Sequence, residues 1–332
     1  MPLPRIAVSL GDPAGIGPEL ALKAALSAEL RACCVPVLVG DPAALALHAA
    51  ACGLAPRIIA VTPAEVRGMH LPADAVALIA RPRLAAGDLR LGRSDAACGR
   101  ATLDAAAIAI NAALAGQLDA VVAAPMTEKS VRLAGVEIDS YTTFVAAVTG
   151  VPFDHAYLML CRDERRVVHL TRHTDAGPAL RMITPARVEG AIRAAELALR
   201  RMSVQAPRIA VAALSARTGV DGPESVVDAT IIGPAIARAR AAGMRVTGPH
   251  ASDTWFGLPD IDVHVAMLCP PQRDAQHAPA AERAVAMTIG TPVLFATVAH
   301  GSALDLAGRN QGRPEALMET FRLLARMVPI AT

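Results

Sequence analysis

The chain has 332 residues, of which 32 are basic and 30 acidic, and only 2% are aromatic. This length fits two domains or one large α/β unit rather than a single small core. The net charge of +2, the lack of any block of like charge and the shortage of aromatic rings argue against nucleic acid as a partner.

The chain has no feature of a secreted or membrane-spanning protein, so we expect a cytoplasmic location. Residues 1–8 read as the start of a strand and lack the long apolar segment of a secretory signal. Apolar runs such as residues 35–39 are far shorter than the roughly 20 residues that a membrane-spanning helix needs. The six cysteines contain no Cys-x-x-Cys pair, and a chain of this size needs no disulfide framework.

Strand and helix patterns alternate along the chain, which predicts an α/β fold with mainly parallel sheets. The predicted strands are residues 5–10, 35–40, 57–61, 119–124, 166–170, 208–214, 261–268 and 292–298. The predicted helices begin near Pro18 and Asp41 and cover residues 104–114, 186–201, 229–242 and 315–328. The proline-rich polar stretch at residues 270–282 predicts an exposed loop.

A glycine-rich turn follows the first strand, with the sequence Gly-Asp-Pro-Ala-Gly-Ile-Gly-Pro-Glu at residues 11–19. It matches neither the Gly-x-Gly-x-x-Gly fingerprint nor a phosphate-binding P-loop. Glycines that permit a sharp strand-to-helix turn explain the motif equally well. The turn alone therefore leaves ligand binding and a purely structural role open.

A second loop, at residues 299–308, combines small residues, an imidazole and a carboxylate directly after a strand. Such a loop lets an adenosine approach closely, whereas Ser302 or Asp305 can instead cap a helix by accepting from backbone N–H groups. His173 follows another strand, at the end of a sheet where open α/β folds place ligands. Histidine spacing by itself does not predict a metal site.

Four segments together resemble the 4-hydroxythreonine-4-phosphate dehydrogenase family: residues 9–19, 119–125, 248–254 and 300–308. The resemblance is collinear over essentially the whole chain, and the His-Gly-Ser-Ala loop is similar to the adenosine-binding loop of isocitrate and isopropylmalate dehydrogenases. It implies a two-domain α/β/α sandwich like that of those enzymes. The implied domains are residues 1–135 plus 305–332, and residues 136–304 with the dimer interface and cofactor loop.

The resemblance implies an NAD- or NADP-dependent dehydrogenase that oxidatively decarboxylates a small hydroxy acid, phosphorylated or not, as in pyridoxal phosphate biosynthesis. It implies a homodimer whose active site is completed by the partner subunit. The expected cofactor-binding residues are His300, Gly301, Ser302, Ala303 and Asp305. The expected substrate-binding residues are Tyr141, Thr142 and His277.

In the family, three histidines hold a divalent metal that polarises the substrate hydroxyl. His173 stands at the first of these positions, Arg217 replaces the second, and Cys269 stands at the third. Arg217 offers no lone pair, so a metal is expected to contact only His173 and Cys269. A histidine and a cysteine suit a hard cation such as Mg²⁺ poorly.

The expected catalytic residues are Arg217 and Asp253, with the Arg217 guanidinium acting as a fixed cation that polarises a carbonyl or holds a carboxylate. Family positions that bind the substrate through lysine, asparagine and arginine align with His277, Ala286 and Phe295, and Phe295 offers a phosphate neither a donor nor positive charge. The alternative to a dehydrogenase is a non-catalytic homologue that binds a nucleotide or metabolite, because fold alone does not fix function.

Overall fold

The structure is a computed structural model that describes residues 3–72, 74–85, 87–171, 174–215, 225–251, 254–268 and 284–328. The chain forms two compact units. Unit 1 comprises Met1–Gly150, Pro279–Val285 and Pro292–Thr332, and unit 2 comprises Val151–Ala278 and Ala286–Thr291. Unit 1 is therefore built from both ends of the chain. The domain limits implied by the resemblance, 1–135 with 305–332 and 136–304, stay a proposal beside this division.

Unit 1 contains a parallel β-sheet. Its described strands are β1 (Arg5–Ser9), β2 (Val35–Gly40), β3 (Arg57–Ala60), β4 (Ala75–Ala80), β5 (Ala120–Ala123) and β12 (Phe295–Val298). They lie in the order β3-β4-β2-β1-β5-β12, and every neighbouring pair is parallel. The side chains of β1 and β5 are buried on both faces of the sheet, as is usual for parallel strands covered by helices. The carboxyl ends of β1, β5 and β12 therefore meet at one edge.

Helices cover the sheet of unit 1. They are α1 (Gly17–Leu26), α2 (Ala28–Arg31), α3 (Pro42–Ala51), α4 (Ala96–Leu114), α5 (Glu128–Leu133), α6 (Tyr141–Thr149) and α10 (Glu315–Met327). The Asp41 carboxylate caps α3 by accepting from the amides of Ala43 and Ala44. Asp95 caps α4 in the same way, so the helix predicted at residues 104–114 begins at Ala96 instead.

The core of unit 1 consists mostly of alanine, valine, leucine and isoleucine, which agrees with the low aromatic content of the chain. Phe295 on β12 is fully buried, and its ring lies 5.5 Å from the ring of Tyr141 on α6. Helix α10 buries the apolar face that includes Leu317, Phe321 and Leu324. The amphipathic pattern at the end of the chain therefore forms the helix that it predicted.

Six further described strands belong to unit 2, and they include one antiparallel pair. Its described strands are β6 (Tyr157–Arg162), β7 (Arg165–His169), β8 (Arg208–Ala212), β9 (Arg245–His250), β10 (Val263–Ala266) and β11 (Val285–Ile289), whose first residue is assigned to unit 1. Their order is β11-β6-β7-β10-β8-β9. β6 and β7 form a hairpin, whereas β7–β10, β10–β8 and β8–β9 are parallel. The mainly parallel character that the sequence predicts therefore holds here too.

The helices of unit 2 are α7 (Ala176–Arg181), α8 (Pro185–Arg201) and α9 (Gly233–Ala241), and a π-helical turn at Asp228–Ile232 precedes α9. Arg187 on α8 is almost completely buried and donates from Nε to the carbonyl of Leu170 at 2.7 Å. Its guanidinium lies 5.0 Å from the centre of the Tyr157 ring. This one side chain therefore ties α8 to the β6–β7 hairpin and the residues that follow it.

The predicted fold class, α/β with mainly parallel sheets, is confirmed. Four strands were missed by the pattern reading: β4, β6, β9 and β11. The predicted exposed loop at residues 270–282 lies outside the described residues. Within the part of the chain that the structure describes, no helix combines the length and apolar character needed to span a bilayer.

Candidate functional site

The glycine-rich turn after β1 is held from inside unit 1 by a buried carboxylate. Asp12 is completely buried, and its Oδ1 accepts from the Ala14 amide at 2.9 Å. Its Oδ2 accepts from the Ser130 hydroxyl on α5 at 2.8 Å. Because both carboxylate oxygens have hydrogen-bond donors inside the protein, Asp12 shapes the turn. Spacing in the sequence gave no signal for the partnership with Ser130, which lies 118 residues away.

The glycines of the turn allow backbone segments to approach one another too closely for any side chain. Gly11 has a φ of +68°, and a Cβ there would lie 2.3 Å from the carbonyl oxygen of Pro125. A Cβ on Gly15 would lie 2.7 Å from Ser302. The structure therefore gives both glycines a packing role, one against the residues that follow β5 and the other against the second predicted loop.

The second loop packs on the turn through Ser302. The Ser302 carbonyl accepts from the Ile16 amide at 2.9 Å, and its buried hydroxyl accepts from Thr127 at 2.9 Å. Ala303 follows with a left-handed backbone, at a φ of +39°, and opens a short 3-10 turn at Leu304–Leu306. Ser302 therefore fixes the loop to the protein.

Other predicted cofactor-binding residues of this loop are accessible. Gly301 and Asp305 are exposed, and a Cβ on Gly301 would meet no atom within 4 Å. His300 is partly buried, and its Nδ1 lies 3.0 Å from the Gly301 carbonyl oxygen. The loop thus has an anchored residue, Ser302, and an open side that consists of His300, Gly301 and Asp305.

A third segment, residues 90–93, touches both loops and was missed by the sequence reading. The Gly92 amide donates to the Ala14 carbonyl at 2.8 Å, and the Gly92 backbone passes close to the Leu304 carbonyl. A Cβ on Gly308 would lie 2.6 Å from a methyl group of Leu91. We call the three segments 11–17, 90–93 and 300–308 the loop platform. The sequence gives no sign of these contacts, because the left-handed backbone of Gly92, with a φ of +80°, cannot be read from it.

Two of the predicted substrate-binding residues, Tyr141 and Thr142, lie at the start of α6. Tyr141 is buried, and its hydroxyl donates to the Ala124 carbonyl at 3.0 Å. Burial raises the pKa of the Tyr141 phenol well above its ordinary value, so this side chain is neutral at physiological pH. Thr142 is buried beside it. The Tyr141 hydroxyl therefore binds the backbone after β5 in this structure.

Five predicted site residues lie outside the described residues: His173, Arg217, Asp253, Cys269 and His277. Their assignment as catalytic, substrate-binding or metal-binding residues stays a prediction. Within the described ranges, no group of three or more histidine, cysteine, aspartate or glutamate side chains is arranged to hold a metal ion.

A buried polar cluster behind the turn also escaped the sequence reading. Glu19 on α1 is completely buried, and its Oε1 accepts from the Lys23 ammonium and from the Gly312 amide, each at 2.7 Å. The Lys23 ammonium also donates to the Gly312 carbonyl at 2.9 Å. This Glu19–Lys23 clamp ties α1 to the segment before α10. The i,i+4 spacing of Glu19 and Lys23 was a readable signal for the ion pair, but the link to Gly312 was not.

Known proteins that are similar to this chain identify its family. A family model described as pyridoxal phosphate biosynthetic protein PdxA matches residues 32–324. A 4-hydroxythreonine-4-phosphate dehydrogenase from Beijerinckia indica is 33% identical over 326 residues, which cover 97% of this chain and 94% of the relative. A 1,2-dihydroxy-3,5-cyclohexadiene-1,4-dicarboxylate dehydrogenase from a Comamonas species is 32% identical over 326 residues, or 96% of each chain.

Solved structures give the same answer. The crystal structure of a 4-hydroxythreonine-4-phosphate dehydrogenase from Burkholderia phymatum superposes with a TM-score of 0.82 at 27% identity, covering 99% of each chain. The relatives are dehydrogenases, and the chain is accordingly an enzyme. The match of the family model and the full-length relatives above 30% identity agree, so this chain belongs to the pyridoxal phosphate biosynthetic protein PdxA family.

Proposed function

We propose that this enzyme is an NAD- or NADP-dependent dehydrogenase that oxidises a small hydroxy acid to a keto acid, which then loses carbon dioxide. The observation that carries the proposal is the loop platform, in which a glycine-rich turn, residues 90–93 and the His300 loop are joined by backbone hydrogen bonds. A preformed backbone surface of this kind lowers the ordering cost of binding a dinucleotide.

The open side of the platform offers suitable chemistry for a dinucleotide. Gly301 allows close approach because no side chain covers its backbone, and the exposed Asp305 carboxylate can accept from ribose hydroxyls. Arg90 and Arg93 are exposed on either side of Leu91 and Gly92 and supply positive charge for phosphate groups. The cofactor would supply the hydride acceptor, while these residues bind and orient it.

Arg217 and Asp253 are the proposed catalytic residues, in line with the resemblance. A guanidinium that stays protonated would stabilise negative charge that develops on the substrate oxygen. The carboxylate of Asp253 would accept the hydroxyl proton as the hydride leaves. The donor set of His173, Arg217 and Cys269 does not fit the family's metal, so no step of this proposal depends on a metal ion.

We propose that the substrate is a hydroxy acid that the enzyme binds through the substrate's own carboxylate groups. One relative's name specifies a phosphate ester and the other's a dicarboxylate. Phe295, at the position where the family has a substrate-binding arginine, is fully buried against Tyr141. An apolar core residue at this position supports a substrate without a phosphate group. The phosphate ester is the competing candidate substrate.

We further infer a homodimer in the cytoplasm, with Tyr141, Thr142 and His277 contacting the substrate in a site completed by the partner subunit. This follows the family resemblance. Sedimentation of the purified enzyme with and without dinucleotide tests the assembly, and a purely monomeric protein that turns over substrate would refute the shared site.

The experiment that tests the function is calorimetric titration with NAD⁺ and NADP⁺, followed by a turnover assay at 340 nm. The assay would compare the dicarboxylate dihydrodiol with 4-hydroxythreonine 4-phosphate. We expect micromolar dinucleotide binding and reduction with the dicarboxylate. Dinucleotide binding without turnover on either class would support the alternative of a non-catalytic binding protein. No binding of either dinucleotide would refute the dehydrogenase proposal.

A further inference from the structure

A buried histidine stands directly behind the glycine-rich turn. His48 lies on α3 and is completely buried, and its Nε2 is 2.9 Å from the carbonyl oxygen of Pro13. Because a carbonyl oxygen only accepts, Nε2 must carry the hydrogen and donate it. This bond reaches across 35 residues from α3 to the middle of the turn.

The other ring nitrogen of His48 makes the residue unusual. Nδ1 is buried and has no hydrogen-bond partner among the described residues. An unsatisfied buried nitrogen destabilises a fold, and an apolar side chain at this position would avoid that cost. Among the residues that the structure describes, the ring therefore has one hydrogen bond, the bond to Pro13.

Within residues 11–17, Pro13 is the one residue that has no amide hydrogen to donate in a hydrogen bond. Its neighbours are all held: Asp12 by Ser130, Ala14 by Gly92, and Ile16 by the Ser302 carbonyl. The bond from His48 supplies the missing constraint at Pro13. All four hydrogen bonds therefore act on the glycine-rich turn, which contacts the other two segments of the loop platform.

We propose that His48 is a positioning residue that fixes the glycine-rich turn in the shape required for dinucleotide binding. The effect on cofactor affinity rests on the proposed function, whereas the effect on the turn itself does not. His48 acts through Pro13 and the loop platform and has no contact with the reacting atoms. Burial lowers the pKa of the His48 imidazole, which keeps the ring neutral at physiological pH.

The test compares three variants of the full-length enzyme. His48→Leu removes the donor, and His48→Gln places an amide N–H at about the reach of Nε2. Thr320→Val is the matched control, because Thr320 is also completely buried in unit 1 but donates only within α10, to Ala316. Amide hydrogen exchange at residues 14–16 reports the turn, and calorimetry with NAD⁺ and NADP⁺ reports the cofactor.

We expect His48→Leu to speed exchange at residues 14–16 and to weaken binding of the preferred dinucleotide by about tenfold, with His48→Gln restoring most of both. At saturating cofactor, kcat should change little while KM for the dinucleotide rises. Thr320→Val should lower stability without either effect. Unchanged exchange in His48→Leu, or equal effects in the control, would overturn the inference. A wild-type enzyme that binds no dinucleotide would instead refute the proposed function, and the exchange rates would still decide whether His48 fixes the turn.

Discussion

At the scale of single residues, glycine positions show how closely the backbone of unit 1 is packed. Gly11 and Gly116 share nearly the same left-handed backbone, with φ values of +68° and +69°. A Cβ on Gly11 would collide with the Pro125 carbonyl, whereas a Cβ on Gly116 would meet nothing within 4 Å. The pair therefore separates conformational strain from steric collision.

We expect Gly11→Ala to lower the free energy of unfolding by about 2–5 kcal/mol, the sum of left-handed strain and overpacking. Gly116→Ala should cost only the strain, about 1–2 kcal/mol. Urea denaturation of both variants measures the difference. Equal losses in the two variants would show that the turn after β1 yields to accommodate the methyl group.

Arg217 is the residue on which the proposed chemistry depends. We expect Arg217→Ala to lower kcat/KM by about 100-fold, because a fixed cation near the substrate oxygen would be lost. Arg217→Lys should retain part of the activity, since it keeps the charge but not the planar fork. Steady-state kinetics with the substrate found in the screen provide the measurement, and wild-type rates in Arg217→Ala would exclude the fixed-cation role.

At the scale of elements, Arg187 joins several parts of unit 2 with one side chain. Its guanidinium donates to the carbonyls of Leu170 and Phe153 and pairs with Asp154 at 3.0 Å. The Arg187 side chain is 3% exposed, whereas that of Asp154 is 76% exposed. Within this ion pair, only the Arg187 side chain is buried.

Arg187→Leu should therefore destabilise the enzyme by about 2–4 kcal/mol, because it leaves the buried Leu170 carbonyl oxygen without this donor. Asp154→Asn removes only an exposed ion pair and should cost less than about 1 kcal/mol. Thermal unfolding of the two variants distinguishes these effects. If Asp154→Asn were as damaging as Arg187→Leu, the ion pair and not the carbonyl contacts would stabilise this region.

The elements that the sequence revealed are those with clear punctuation. Strand β2 ends at Gly40, and the side chain of the next residue, Asp41, caps α3; both element boundaries were predicted to within a residue. Strand β4, Ala75–Ala80, was missed because only a short 3-10 helix, Pro63–Gly68, separates it from β3, so the pattern of alternating strands and α-helices did not indicate it. The start of α4 was missed because Asp95 precedes two alanines that give no periodic signal.

The candidate site was predictable in part. The glycine-rich turn and the His300 loop were recognised by resemblance, but their contact through Ile16 and Ser302 spans most of the chain and has no local signature. His48, Asp12 and the segment around Gly92 act through long-range hydrogen bonds of the same kind. Such contacts are decided by tertiary packing, which pattern and spacing do not encode.

At the scale of the whole molecule, each unit contains a buried histidine whose pKa is depressed by burial, His48 in unit 1 and His264 in unit 2. The ring of His264 lies 5.0 Å from the rings of Trp255 and Phe256. A folded-state pKa below the unfolded value, about 6.5, means that the unfolded chain binds more protons on acidification. The contribution of these two histidines to the free energy of unfolding is therefore fully present above about pH 6.5 and is lost as the pH falls through the folded-state pKa.

We expect the urea midpoint, followed by the fluorescence of Trp255, the single tryptophan of the chain, to fall between pH 7.5 and pH 5.5. His264→Phe should reduce that fall, because the ring contacts are kept while the titrating group is removed. An acid sensitivity identical in wild type and variant would assign the effect to other groups.

The construction of unit 1 from both chain ends determines when the enzyme can mature. β12 and α10 follow unit 2 in the chain, yet β12 pairs with β5 and the Gly312 backbone closes the clamp on Glu19 in α1. On the ribosome, the strands that precede unit 2 must wait without β12 until unit 2 has been synthesised. A nascent chain that stalls before β12 therefore exposes the edge of β5, a template for pairing with other chains.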